Sequence, residues 1–240
     1  MVRYQKALVY TRLDSREIHV WQLAPGELEL PDVLSEDERQ RAARFVFEKD
    51  RRFFAACRSA LRMLVSGYLQ TRAEELSFVY TEKGKPRVAG ETGLRFNISH
   101  SGGMAVFAFS RGCDLGVDVE LVRPVPEIDN IARRFFCPEE CSELLAIAPT
   151  EKPAAFFRCW TRKEAYIKAT GDGLSAPLDQ FQVTLDAEEE ARFLHISHSS
   201  EEAARWTLQD LGLDPPYVGA LAYLGPRKEV RTLRSDAFRA

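Results

Sequence analysis

No apolar run in this chain of 240 residues approaches ~18 residues, so the sequence offers no membrane-spanning helix. The opening MVRYQKALVYTRL also lacks the long apolar stretch of a secretion signal. Cysteines are few: Cys57, Cys113, Cys137, Cys141 and Cys159 make an odd count without a CxxC pair. That excludes a disulfide framework and fits a reduced compartment, so a cytoplasmic protein is expected. The spacing in "CPEEC" lacks a second ligand pair and carries no zinc site. There is no low-complexity segment, and a formal charge of −3 gives no sign of a nucleic-acid binder. What remains is 45% hydrophobic and 29% charged, an ordinary soluble composition with ample material for a core. The length admits one large domain or two of about 120 residues.

Periodicity and punctuation supply the elements. A first strand is expected over "KALVYTRL" (6–13) or "REIHVWQL" (16–23). Ser35 with Glu38 three residues on reads as a capping box. A helix follows from about Asp50 to Tyr68, its apolar positions Phe53, Cys57, Leu61, Leu64, Val65 and Tyr68 recurring at helical spacing. Turn signals in "EKGKP" and "AGETG" lead to paired strands "LRFNISHS" and "MAVFAFS" around Gly102 and Gly103, then to "CDLGVDVE". After the linker "PVPEID", helices are expected from Ile128, again after Pro138, and over "PAAFFRCWTRKEAYIKATG", which has Pro153 near its start and Gly171 just past its end. From "FQVTL" onward strands dominate. "GGMAVFAFSRG" is weakly echoed by "PYVGALAYLGP", which hints at two similar halves meeting near residue 114. "ISHS" also recurs, at 98–101 and 196–199.

The chemistry gathers at "GVDVE". Strand side chains alternate, so Asp118 and Glu120 share one face with Cα atoms roughly 6.6 Å apart. Burying unpaired carboxylates is costly, and one shared cation removes the cost; hard oxygen ligands suit Mg²⁺. The plainer reading is a solvated strand face. On the last helix, Phe156, Phe157, Trp160, Glu164, Ile167 and Lys168 fall on one stripe, interrupting it with an acid and a base. A surface ion pair is the plainer account. The alternative makes Glu164 a third metal ligand or a base, with Lys163 and Lys168 neutralising anionic substrate oxygens. Residues 39–62 add a run of arginines, of which Arg58 lies next to the apolar stripe. Lys83 and Lys85 flank Gly84 before Pro86 on a turn suited to an anion, and Ser99 and His100 sit just past a strand. His19, His195 and His198 have weaker surroundings.

"DRRFFAACRSALR", "GKP", "FNISHS", "GVDVE" and "WTRKEAYIKATGDGL", in that order, resemble a 4′-phosphopantetheinyl transferase of the Sfp type, in its W-KEA branch. The resemblance implies an α+β fold in which two similar α/β halves, 1–113 and 114–240, form a pseudo-dimer. Each half would pack a small antiparallel sheet against helices, with the active site at their junction. It implies Asp118, Glu120 and Glu164 as Mg²⁺ ligands. Arg58, Lys83, Gly84, Lys85, Pro86, Ser99, His100, Asp118, Lys163 and Lys168 would hold coenzyme A. His100 and the arginine helix would face the 3′-phosphate, and Lys168 the pyrophosphate. The implied reaction is attack by a serine hydroxyl of an apo acyl or peptidyl carrier protein on the β-phosphorus of coenzyme A. Glu164 and Lys168 would be catalytic, and 3′,5′-adenosine bisphosphate would leave. A monomer is implied, with no nucleic acid or membrane involved. The rim that meets the carrier is expected from the first-half arginines and the "RRFF" stretch, Arg133 to Phe136. Two alternatives stay open: a non-catalytic relative that only binds carrier proteins, and a Mg²⁺-dependent pyrophosphate hydrolase.

Overall fold

The computed structural model describes residues 12–27, 29–173 and 176–234. The expected strand over 6–13 lies outside them up to residue 11, whereas the alternative is β1 (Glu17–Leu23). There follow α1 (Glu36–Ala43), α2 (Glu48–Leu69), a short hairpin β2 (Phe78–Tyr80) and β3 (Pro86–Val88), then β4 (Leu94–Ser101), β5 (Met104–Arg111) and β6 (Leu115–Leu121). The later residues form α3 (Ile128–Phe135), α4 (Pro138–Ala146), α5 (Lys152–Thr170), β7 (Phe181–Val183) and β8 (Phe193–Ile196). They end in α6 (Ser200–Ala204), β9 (Trp206–Asp210), β10 (Tyr217–Leu224) and β11 (Glu229–Arg234). The expected capping box is present at α1, where the Glu38 carboxylate accepts the Ser35 N–H at 3.0 Å.

Two sheets carry the fold, one ordered β11-β1-β5-β4 and the other β6-β10-β9. Their plans match. Each starts with a strand (β1, β6), sends a long helix across it (α2, α5), and closes with two strands of which the second (β5, β10) sits in the middle. The echoed segments fall on those two central strands, but the register of the echo is wrong. It aligns Phe107 and Phe109, which face α2, with Leu221 and Tyr223, which face the other sheet. One pairing departs from the antiparallel expectation, since β11 runs parallel to β1. A division at 113/114 therefore leaves a late strand in the early sheet.

Packing follows the strand alternation. On one face of β1 and β5, Trp21, Leu23, Phe107 and Phe109 meet Ala60, Leu61, Leu64 and Val65 of α2. On the other face, Ile18, Val20, Val106 and Ala108 meet Val117, Val119, Leu221 and Tyr223 of the second sheet. The outer face of that second sheet, with Ala220 and Ala222, is covered by α5 through Ala165, Ile167 and Ala169. The order is helix, sheet, sheet, helix. Each fully buried Leu or Phe side chain here contributes about 1.5–3 kcal/mol of transfer free energy.

Candidate active site

Gly116 decides how low α5 sits on β6. A Cβ at that position would lie 2.1 Å from Ala165 O and 2.3 Å from Ala169 N, so only glycine lets the helix rest directly on the strand backbone. The same strand face carries Asp118 and Glu120, as alternation predicts. Glu164 and Lys168, one turn apart on α5, come down over them. Lys168 Nζ donates to Asp118 Oδ1 at 2.6 Å and to Ser99 Oγ at 2.8 Å, while Ser99 Oγ donates to Asp118 Oδ1 at 2.7 Å.

Ser99 belongs to a seam between the two sheets. β4 and β6 lie edge to edge, and alternate β4 side chains serve as the rungs. Asn97 Oδ1 accepts from Val117 N at 2.9 Å, and Ser101 Oγ donates to Glu120 Oε2 at 2.6 Å while accepting from Leu121 N at 3.2 Å. His100 points the other way. Its ring meets that of Phe53 edge-on, with centroids 5.4 Å apart.

The charges in this cluster are not balanced. Asp118 and Glu164 are both buried, and one oxygen of each, Asp118 Oδ2 and Glu164 Oε1, has no hydrogen-bond partner. Such atoms are expensive and uncommon in a folded interior. Burial, and then the Asp118 charge, hold the Glu164 carboxyl above its usual range, against the opposing pull of Lys168. Burial first and Lys168 second push His100 below its usual value. Among the described residues no three acids, histidines or cysteines are gathered closely enough to hold a metal ion, and the Lys168 ammonium stands against Asp118. The donor set nonetheless fits a hard cation: it is all oxygen, it is partly unpartnered, and half-buried Glu120 extends it.

Four expected residues do other work. Arg58 is buried and donates through Nε to Glu38 Oε1 at 2.8 Å. Arg62 Nε reaches Glu38 Oε2 at 2.6 Å, and both guanidinium groups lie over the Phe78 ring. Burial alone would raise the Glu38 carboxyl; the two arginines more than offset it and hold it low. Arg58 is thus engaged by Glu38 inside the first half. Lys163 is fully buried, donating to Leu178 O at 2.8 Å and Phe181 O at 2.6 Å and pairing with Glu140 at 2.8 Å. It anchors α5 to α4 and to the start of β7. Lys85 Nζ is spent on three backbone carbonyls. Phe136, expected on an exposed rim, is buried and stacks on Phe156 with centroids 5.4 Å apart, leaving Arg133 and Arg134 exposed beside it.

The remaining expected residues belong to the β2–β3 hairpin. Lys83 is exposed on the β2–β3 turn, its Cβ 3.8 Å from where a Cβ on Gly173 would lie. Gly84 takes a φ of +83° in that turn, and Pro86 opens β3. The residues that sequence reasoning missed are Asn97, Ser101, Gly116 and Glu140. The first two were legible, since they share the period of Ser99.

Comparison with known proteins supplies the context for this geometry. A family model described as the 4′-phosphopantetheinyl transferase superfamily matches residues 114–222, and one described as 4′-phosphopantetheinyl transferase, N-terminal, matches residues 20–111. The chain is 38% identical over 219 residues to 4′-phosphopantetheinyl transferase HetI of Nostoc, covering 88% of this chain and 89% of that one. It is 35% identical over 152 residues to 4′-phosphopantetheinyl transferase Sfp of Bacillus subtilis, covering 63% and 66%. A rat relative, L-aminoadipate-semialdehyde dehydrogenase-phosphopantetheinyl transferase, is 26% identical over 223 residues, covering 86% and 72%.

Proposed function

Since this chain belongs to the 4′-phosphopantetheinyl transferase superfamily and transfers phosphopantetheine to carrier proteins, we propose that the transfer takes place at Asp118, Glu120, Glu164 and Lys168. The observation that carries this reading is the pair of buried, unpartnered oxygens, Asp118 Oδ2 and Glu164 Oε1, held beside a lysine. Coenzyme A is the donor. Asp118, Glu120 and Glu164 would hold Mg²⁺, which when bound neutralises charge on pyrophosphate oxygens.

The chain's own groups do the rest. Lys168 leaves Asp118 for the pyrophosphate and supports the negative charge that grows as the bridging P–O bond breaks. The carrier serine Oγ forms a bond to the β-phosphorus, and 3′,5′-adenosine bisphosphate departs. The serine proton passes to Glu164, whose carboxyl is held above its usual range by burial and by the Asp118 charge. Ser99 and the other β4 rungs hold the acids in place. Lys83 and His100, both exposed, would hold the nucleotide end of coenzyme A, and exposed Arg133 and Arg134 would meet an acidic carrier. Both faces of the seam come from one chain, which supports a monomer. Among the described residues no helix is long and apolar enough to cross a membrane; a cytoplasmic setting remains the reading of the cysteine pattern.

The test is the intact mass of an apo-carrier after incubation with coenzyme A and the protein, with Mg²⁺ and with chelator. A gain of one phosphopantetheine arm only when Mg²⁺ is present supports the reading. Equal modification in chelator would remove the metal from it.

A further inference from the structure

Lys85 leaves a fixed backbone. Thr81 N donates to Lys85 O at 3.0 Å, Gly84 N to Thr81 O at 2.8 Å, and Lys85 N to Thr81 Oγ1 at 3.0 Å. The side chain passes Gly171, where a Cβ would lie 3.8 Å from Lys85 Cδ, and ends at the last turn of α5. There Nζ donates to Lys168 O at 2.6 Å, Ala169 O at 3.1 Å and Leu115 O at 3.0 Å. An ammonium has three N–H donors, and all are used. Lys168 and Ala169 are among the last residues of α5, whose carbonyls have no donor within the helix and carry its partial negative charge. Leu115 is the first residue of β6. One side chain therefore ties the end of α5 to the start of the strand that carries Asp118.

We propose that Lys85 is a positioning residue for phosphopantetheine transfer: its clasp fixes the last turn of α5 on β6 and so sets the Lys168 ammonium over Asp118. The inference rests on the transfer site being that cluster. A phosphate ligand would need a spare N–H, and the three carbonyls leave none. Burial pushes Lys85 down to about 8, with Asp114 opposing, so the group is still an ammonium at neutral pH and makes all three bonds. Gly116 acts in the same direction from below, since without a side chain it lets the helix reach the depth that the clasp then holds.

The experiment compares wild type with Lys85→Met and Lys85→Gln, measuring kcat, KM for coenzyme A, and hydrogen exchange across residues 164–173. In Lys85→Met, kcat should fall about tenfold to a hundredfold while KM stays within about twofold, the pattern of a misplaced group and not of a lost ligand. Amides at the end of α5 should exchange faster, with the first sheet unchanged. Lys85→Gln keeps two N–H donors and should lie between; if Lys85→Met does not fold, the same comparison is made with Gln. A KM raised about tenfold at unchanged kcat would overturn the proposal and return Lys85 to the coenzyme A pocket. Unchanged exchange at the end of α5 would overturn it as well. A wild type that transfers nothing would sink the site reading, while the exchange comparison still decides the clasp.

Discussion

The two strand–helix layers of this protein share a plan and differ in what fills them. Under α2, the helix-facing residues of β1 are His19, Trp21 and Leu23, and Phe109 and Phe107 stand opposite the first two on β5. The polar atoms there are partnered: Trp21 Nε1 donates to Tyr68 Oη at 2.9 Å, and His19 Nδ1 shares a 2.8 Å hydrogen bond with the same oxygen. Under α5, the matching face of β6 carries Gly116, Asp118 and Glu120, with Ala222 and Ala220 opposite the first two. Small residues there let the helix descend, and the carboxylates it covers keep unpartnered oxygens. One layer is partnered as it folds; in the other, Asp118 Oδ2 and Glu164 Oε1 have no hydrogen-bond partner.

Each long helix is also anchored in the same way. Glu38 caps α1 and receives Arg58 and Arg62, while Glu140 caps α4 through Cys137 N and receives Lys163. These buried pairs belong to the frame. The contrast therefore predicts that charges in the frame govern stability and charges in the open layer govern turnover.

The largest effect is expected in the open layer. Asp118→Asn should lower kcat by about a hundredfold to a thousandfold, since it removes charge where the site concentrates it, and should leave the melting temperature unchanged or raised. Carrier mass kinetics and a thermal melt check both halves of that statement. Lys163→Met should do the reverse. It strands Glu140 as an unpaired buried charge, costing about 3–5 kcal/mol in denaturant unfolding, with KM for coenzyme A unchanged in whatever folded fraction is assayed. A raised KM at full stability would restore Lys163 to the substrate.

The first layer answers more weakly. Tyr68→Phe leaves Trp21 Nε1 and the His19 ring without their shared oxygen and should cost about 1–3 kcal/mol of stability at unchanged kcat/KM. The smallest effect is a pH dependence. Burial depresses the His19 pKa, against the raising influence of Glu17 and with Arg231 lowering it further. Between the depressed folded value and the ordinary 6.5, the unfolded chain binds more protons. Stability is thus fully present above about 6.5 and is lost as pH falls through the folded value. Melting temperatures from pH 7.5 to 5 should drop more in wild type than in His19→Gln; parallel curves would contradict the assignment.

The sequence was most informative where local period decides direction. Alternation put Asp118 and Glu120 on one face, and helical spacing put Glu164 and Lys168 together, because neither inference needs a distant partner. Both hold in the structure. The partners of the long cations were not legible, because their ends cross a packing interface that no local pattern reveals. Arg58 finds Glu38 20 residues away, and Lys85 finds Lys168 O 83 residues away. A basic residue type announces an anion or a carbonyl, and only the tertiary fold says which. In the sequence Gly116 is only one more residue of a strand segment. Its real role, admitting a helix backbone, depends on an element that arrives some 50 residues later.

The most direct test is the thermal shift produced by Mg²⁺ with coenzyme A in wild type, Asp118→Asn and Tyr68→Phe. A ligand that binds only the folded state stabilises it by about 2.7 kcal/mol at a hundredfold excess over its dissociation constant, which a melt resolves. The open layer predicts a clear upward shift in wild type, the same shift from a lower starting point in Tyr68→Phe, and none from Mg²⁺ in Asp118→Asn. An equal Mg²⁺ shift in Asp118→Asn would contradict the claim that the uncompensated acids of β6 and α5 are what the cation completes.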